Sequence, residues 1–295
     1  MLERALLMIL RRRTLLAAGG SLLTLGACKA SSAGDSPAPP AATAPTAAAA
    51  AAHASGYRVG PVGETHAVLV HVQFVGTRRA APWEIPPMVR TQCSGAEEAL
   101  DEALVVGSDG GVSDAVVWID DIHSGASLDS APSAIQDEKR CAFEPHVLAV
   151  PASGSLRLTN SDPANHAVRF EFAGDDTRDD FTKTLPAGAL LGLPVRPEWA
   201  GRYARITCPI HLWMWSYVHF FEHPYFAVTQ GGMAKISGVP AGRYHVTVWH
   251  EGISVTYASS LKFPPPVTAR AEAIVEHGDA RLDFIIGDDG KLALK

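Results

Sequence analysis

Apolar and polar residues alternate along much of the chain, the period of a strand with one face buried. The pattern runs through His66 to Val75, Val112 to Ile119, Leu156 to Leu158 and Ala167 to Phe172. It continues through Tyr203 to Thr207, Ser216 to Phe221, Tyr244 to Trp249 and Leu282 to Ile286. Frequent glycine and proline punctuate these runs at strand spacing. A helical period shows only over Gly95 to Leu104, and that stretch is short. The pattern predicts an all-β protein built as sandwiches.

The first residues break this texture. Arg11, Arg12 and Arg13 precede a short apolar run from Leu15 to Leu25, which ends in Leu25-Gly26-Ala27-Cys28. A run of this length reads as an export signal and is too short to span a membrane. Arg12-Arg13-Thr14-Leu15-Leu16 is similar to a twin-arginine signal, which carries a protein out already folded; an ordinary basic leader is the other reading. Leu-Gly-Ala-Cys resembles a bacterial lipobox, which implies a diacylglycerol on Cys28 and attachment to a membrane. Lys29 at the next position, where Asp would retain the protein, resembles the pattern that permits transfer to the outer membrane. Residues 29–56 are almost wholly Ala, Ser, Pro, Gly and Thr, too poor in apolar surface to offset the entropy of ordering, and are expected to form a tether. The expected location is the periplasm, lipid-anchored to the cell envelope.

About 240 residues remain, enough for one large domain or two ordinary ones, and a hydrophobic content of 47% supplies a core. The net charge is −6 with no basic patch after the leader, which argues against nucleic acid as a partner. Four cysteines are present, Cys28, Cys93, Cys141 and Cys208. Lipidation of Cys28 leaves three in an oxidising compartment, so at least one stays unpaired. Cys208 lies in a string that calls for a free thiolate, which makes Cys93 with Cys141 the economical disulfide; three unpaired buried cysteines are the alternative. Closing so long a loop stabilises a fold by roughly 3–5 kcal/mol in the chain-entropy model.

That string is Cys208-Pro209-Ile210-His211-Leu212-Trp213-Met214, which follows the strand Tyr203 to Thr207. A thiolate, an imidazole and a thioether within seven residues suit a copper ion that alternates between Cu(I) and Cu(II): soft sulfur favours the reduced ion and imidazole serves both. Thiolate and imidazole also suit zinc, but the thioether points to copper. A second imidazole is needed, and His166, at the end of Asn160-Ser161-Asp162-Pro163-Ala164-Asn165-His166, is the candidate. Cys-x-x-His-x-x-Met resembles the ligand loop of amicyanin, within the plastocyanin and azurin (cupredoxin) family. Phe143, Pro145, Gly154 and Asn160 are similar to the positions that precede the family's first ligand histidine. The resemblance covers residues 135–222 and implies an eight-stranded Greek-key sandwich with His166, Cys208, His211 and Met214 holding one type 1 copper. It departs where the family usually places Asn after that histidine: here the residue is Ala167, and Asn165 is the candidate substitute brace.

A second texture lies downstream. Tyr225 to Thr229, a Gly231-Gly232 turn, Ala234 to Ile236 and Val239-Pro240-Ala241-Gly242-Arg243-Tyr244 resemble the end of a carboxypeptidase regulatory-like, or prealbumin-like, sandwich. Its earlier strands would come from His66 to Val75 and Val112 to Ile119. Residues 57–134 and 223–295 then make one sandwich with the cupredoxin-like segment inserted; two consecutive domains are the alternative. The order of motifs along the mature chain also resembles bacterial proteins related to methylamine utilisation.

His219 and His223 could join His250 or His146 in a second metal site, although strand alternation and turn chemistry explain them adequately. Trp249-His250-Glu251 lacks the second histidine of a metalloprotease helix, and no nucleophile elbow or phosphate loop is present. Trp213 with the apolar residues of the ligand loop would form a docking face for a redox partner, while Trp215 is expected to pack in the core or between domains. The expected function is single-electron transfer or copper handling with a periplasmic redox or copper-handling protein, without catalysis of its own. The rival of a different class is a non-redox module that binds protein or carbohydrate, in which the cupredoxin fold has lost copper.

Overall fold

The computed structural model describes residues 56–78, 93, 101–128, 134–152, 154–253, 256–257, 261–263 and 265–295. The leader, Cys28 and the tether up to residue 55 lie outside the described residues, as does the Gly95 to Leu100 part of the expected helix. The described end of that stretch, Asp101 to Leu104, is a turn: Asp101 Oδ1 accepts the Ala103 amide at 3.0 Å, an Asx contact that competes with helix.

The described chain is nearly all strand. Residues before 129 contribute β1 (Arg58–Val59), β2 (Thr65–Val75), β3 (Val116–Ile119) and β4 (Ser124–Gly125). The middle segment contributes β5 (Ala134–Lys139), β6 (Ala142–Glu144), β7 (Val147–Pro151), β8 (Ser155–Asn160), β9 (His166–Phe172), β10 (Phe181–Leu185), β11 (Leu190–Pro194), β12 (Tyr203–Thr207) and β13 (Trp215–Phe221). The last contributes β14 (Phe226–Val228), β15 (Met233–Pro240), β16 (Arg243–His250), β17 (Thr256–Tyr257), β18 (Leu261–Lys262), β19 (Val267–Ile274), β20 (Ala280–Gly287) and β21 (Leu292–Leu294).

Four of the sheets make two sandwiches. In one, the sheets β14-β3-β16-β19 and β15-β2-β20-β21 enclose a core that includes Val68, Val70, Val72, Val117, Val248 and Phe284. Its strands come from both ends of the described chain: β2 pairs in parallel with β20 from Val68↔Ala280 to Val75↔Gly287. β2 alternates from Val68 on: Val68, Val70 and Val72 point inward, while Leu69, His71 and Gln73 are half-buried. In the other, β10-β9-β12-β13-β7 packs on β11-β8-β5-β6 around Phe143, Leu156, Leu158, Phe170, Ile206 and Phe220. Every strand of this second sandwich lies between β4 and β14 in sequence.

Two local features refine the pattern. The run Val112 to Ile119 pairs as a strand only from Val116, because Asp114 adopts a left-handed conformation (φ 64°) that interrupts it. The Gly231-Gly232 turn has a steric cause: Gly232 lies at φ 83°, and a Cβ there would sit 2.5 Å from the Gly111 Cα.

β13 is buried along its whole length, so its alternation has two apolar faces. Val218 and Phe220 enter the core of its own sandwich, whereas Trp215, Tyr217 and Phe221 face a cluster with Val116 and Trp249 of the other. His219 belongs to this second face, stacked 4.9 Å from Tyr203 and edge-on 4.4 Å from Trp249. The same interface buries charge. His146 Nε2 bonds Glu251, its Nδ1 lies 3.5 Å from Glu102, and Trp215 Nε1 donates to the second Glu251 oxygen at 2.8 Å. Burial alone would lower His146, but Glu251 and Glu102 hold it well above the ordinary imidazole range. Neighbouring His250 goes the other way, pushed down to about 4 by burial.

Removing Glu251 would leave that imidazolium buried without the carboxylate it bonds, with Glu102 3.5 Å away. Glu251→Ala is expected to lower unfolding free energy by about 3–5 kcal/mol, whereas replacing both partners with leucine costs far less. Chemical unfolding of the three proteins checks this; a loss below about 1 kcal/mol for Glu251→Ala would show that the pair does not hold the interface.

Candidate metal centre

His166 opens β9 and Cys208 follows β12, and these strands are antiparallel neighbours from Ala204↔Phe172 to Thr207↔Arg169. The start of one is therefore adjacent to the end of the other, which brings two residues 42 positions apart to one end of the sheet. The loop after Cys208 turns back on itself: the Met214 amide donates to His211 O at 2.9 Å, and the Cys208 amide donates to Met214 O at 3.2 Å. That closure swings His211 over Cys208 before β13 begins.

Three ligating atoms converge. His166 Nδ1 and His211 Nδ1 are 2.9 Å apart, and each lies 3.8 Å from Cys208 Sγ. All three residues are buried. Imidazole nitrogens about 2.0 Å and a thiolate about 2.3 Å from one tetrahedral ion sit roughly 3.3 and 3.5 Å apart, so the observed spacings match a set that shares one cation. Met214 is buried in the same core cluster as Cys208. Cys208 is a free thiol, while Cys93 and Cys141 are joined, with Cα atoms 5.4 Å apart.

The electrostatics favour charge separation in this set. Burial raises the Cys208 thiol, but hydrogen bonds from His166, His211 and the Ala167 amide outweigh it and bring it down to about 6. Burial lowers His166, yet its bonds to Asp162 and Cys208 lift it to about 9. Near neutral pH these shifts favour a thiolate facing an imidazolium, and a cation bound there would take the place of that proton.

The groups that orient the ligands were not legible as such. Asp162 Oδ2 accepts from His166 Nε2 at 3.0 Å, which fixes the ring with Nδ1 turned toward Cys208; a carboxylate on the far nitrogen is a common partner of a ligand histidine. Asp162 also accepts the amides of Arg140 at 2.7 Å and Cys141 at 2.8 Å, and its own amide donates to Asn160 Oδ1 at 3.0 Å. Asn160 ties the loop further through Nδ2 to Ala164 O and Leu185 O, both at 2.8 Å. The only available signal was the Asn-x-Asp-Pro turn chemistry before His166. Glu138 on β5 is also buried nearby; burial pushes its carboxyl up to about 8, and Oε2 has no hydrogen-bond partner among the described residues.

One expectation needs correction. Asn165 does not brace the cysteine loop: its Oδ1 accepts the Ala187 amide at 3.1 Å. His219 and His223 do not gather with His146 or His250 into a metal-ligating set among the described residues; they line the aromatic interface. Trp213 is half-buried, donating from Nε1 to Cys141 O at 3.1 Å with its ring 5.3 Å from that of His211. Ile210 and Leu212 remain exposed beside it.

No protein-family model matches the chain, and no curated protein matches it. Among solved structures, a single-residue variant of amicyanin in its Cu(I) form is similar at 18% identity and TM-score 0.27, covering 32% of this chain and 87% of that one. The copper-containing nitrite reductase of Thermus scotoductus SA-01 is similar at 17% identity and TM-score 0.27, covering 31% of this chain. The match spans 23% of the nitrite reductase, about a quarter of its length.

Asp162→Asn keeps the shape of the orienting side chain but removes its charge. The His166 imidazole of the metal-free protein is then expected to titrate well below about 9, toward its ordinary value. Titration of the ring by NMR checks this, and an unchanged midpoint would show that Asp162 does not set the charge of His166.

Proposed function

We propose that this chain is an exported, lipid-anchored protein whose inserted sandwich holds one type 1 copper ion and passes single electrons in the periplasm. The observation that carries the reading is the buried convergence of His166 Nδ1, His211 Nδ1 and Cys208 Sγ. Met214 is assigned as the long fourth contact from the spacing Cys-x-x-His-x-x-Met. Bound there, copper supplies a one-electron couple.

The residues suit that task more than catalysis. His166 and His211 each offer Nδ1, and Cys208 offers a thiolate near neutral pH. Four protein ligands in a dry setting leave no open position for a substrate, which suits electron transfer. Asp162 holds His166 in one orientation, so the ligands need not rearrange when the charge of the ion changes. The partner is a periplasmic redox or copper-handling protein. The lipobox at Cys28 and the tether that follows would keep the domain near the envelope, the outer membrane being favoured by Lys29.

Added Cu(II) should give the mature protein an intense thiolate charge-transfer band. Cys208→Ser should abolish it, because a hydroxyl stays protonated and is a poor ligand for soft copper. His166→Ala or His211→Ala should weaken binding and shift the band, and Met214→Leu should keep the colour while raising the potential. A colourless wild type, or an unchanged spectrum in Cys208→Ser, would refute the assignment.

A further inference from the structure

The disulfide lies against the ligand set. Sγ of Cys93, Sγ of Cys141 and a ring nitrogen of His211 all lie within 4.8 Å of one another, and all three residues are buried. Sγ of Cys141, a carboxylate oxygen of Asp162 and a ring nitrogen of His166 meet the same limit. Both sulfurs therefore sit beside the His211 ring, and Cys141 Sγ also sits beside that of His166.

The backbone that places Cys141 is costly. Arg140 and Cys141 form a two-residue turn between β5 and β6, closed by the pair Lys139↔Ala142, and both adopt left-handed conformations, at φ 56° and 52°. Such turns favour Asn-Gly or Gly-Gly, and a residue with a side chain in this region is strained. Asp162 offsets this by accepting both amides, and Trp213 bonds the Cys141 carbonyl. Two residues of the metal-binding end thus hold a cysteine in a conformation that most side chains avoid.

We propose that the reduced Cys93 and Cys141 thiolates, with His211, form a second site for a soft closed-shell cation, Cu(I), which exists only when the disulfide is open. Reduction by a dithiol donor breaks the Cys93–Cys141 bond and forms the donor's disulfide. Two electrons and two protons pass to the cysteines, and binding of Cu(I) releases those protons to solvent. Two sulfurs about 2.3 Å from one ion sit roughly 3.8 Å apart, which side chains on Cα atoms 5.4 Å apart reach by rotation. Two thiolates and one imidazole favour Cu(I) over Cu(II). His211 belongs to both sets, so the state of the disulfide decides which ligands it completes. The inference requires only His211 of the type 1 set, and its test removes Cys208.

The experiment uses the mature Cys208→Ser protein, titrated anaerobically with Cu(I) against a chromogenic Cu(I) chelator before and after reduction with a phosphine. The oxidised protein should leave Cu(I) with the chelator. The reduced protein, showing two titratable thiols, should take up one Cu(I) per chain with affinity higher by about tenfold or more. Adding His211→Ala should remove that gain, and Cys93→Ser with Cys141→Ser should abolish the dependence on reduction. Near-UV circular dichroism reports whether the reduced chain stays folded. The proposal is overturned if reduction produces no gain, or if the gain persists in His211→Ala, as it would in an unfolded chain that binds through its thiols alone. A wild type that stays colourless with Cu(II) refutes only the type 1 assignment and leaves this result standing.

Discussion

The carboxylate of Asp162 receives donors from three places: the His166 ring and the amides of Arg140 and Cys141. A buried carboxylate persists only where hydrogen bonds replace its water, and these bonds hold it below the ordinary carboxylate range although burial pushes it up. The histidine ring, the strained turn and the disulfide are consequently fixed relative to one another through a single side chain. Antiparallel pairing of β9 with β12 brings Cys208 to the same place, and the closed loop from Cys208 to Met214 adds His211. The candidate metal centre is thus assembled by backbone register and then locked by one charge.

The two sandwiches meet along β13, the strand that begins just after Met214. Its outward face joins an aromatic cluster with Trp249, and Trp215 donates to Glu251, which pairs with His146. The first residue after the ligand loop is therefore held by a residue of the other sandwich. The chain runs from the candidate metal centre straight into this interface, and the next residue, Ser216, accepts from Gln136 at 2.6 Å through its Oγ.

Much of the fold was legible because strands with one buried face alternate. The run Tyr203 to Thr207 is β12, and His66 to Val75 lies within β2. The edge strands β10 and β11 were not legible: Thr182, Lys183 and Thr184 are exposed, and β11 alternates exposed with half-buried residues, so neither carries a strong apolar signal. β19 carries a weak apolar signal because its inward residues include small alanines, Ala271 and Ala273. The four candidate ligands could be named from residue type and spacing. Asp162 could not, because a carboxylate four residues before a histidine has no preferred role until the loop's path is known. The buried pair His146 and Glu251 is 105 residues apart in sequence, and no local pattern links its members.

The most direct measurement of the central claim is X-ray absorption at the copper edge of the copper-loaded protein. A centre built from His166, Cys208 and His211 predicts one short copper–sulfur bond and two imidazole nitrogens, and the short bond should vanish in Cys208→Ser. A shell of nitrogen and oxygen alone in the wild-type protein would contradict it.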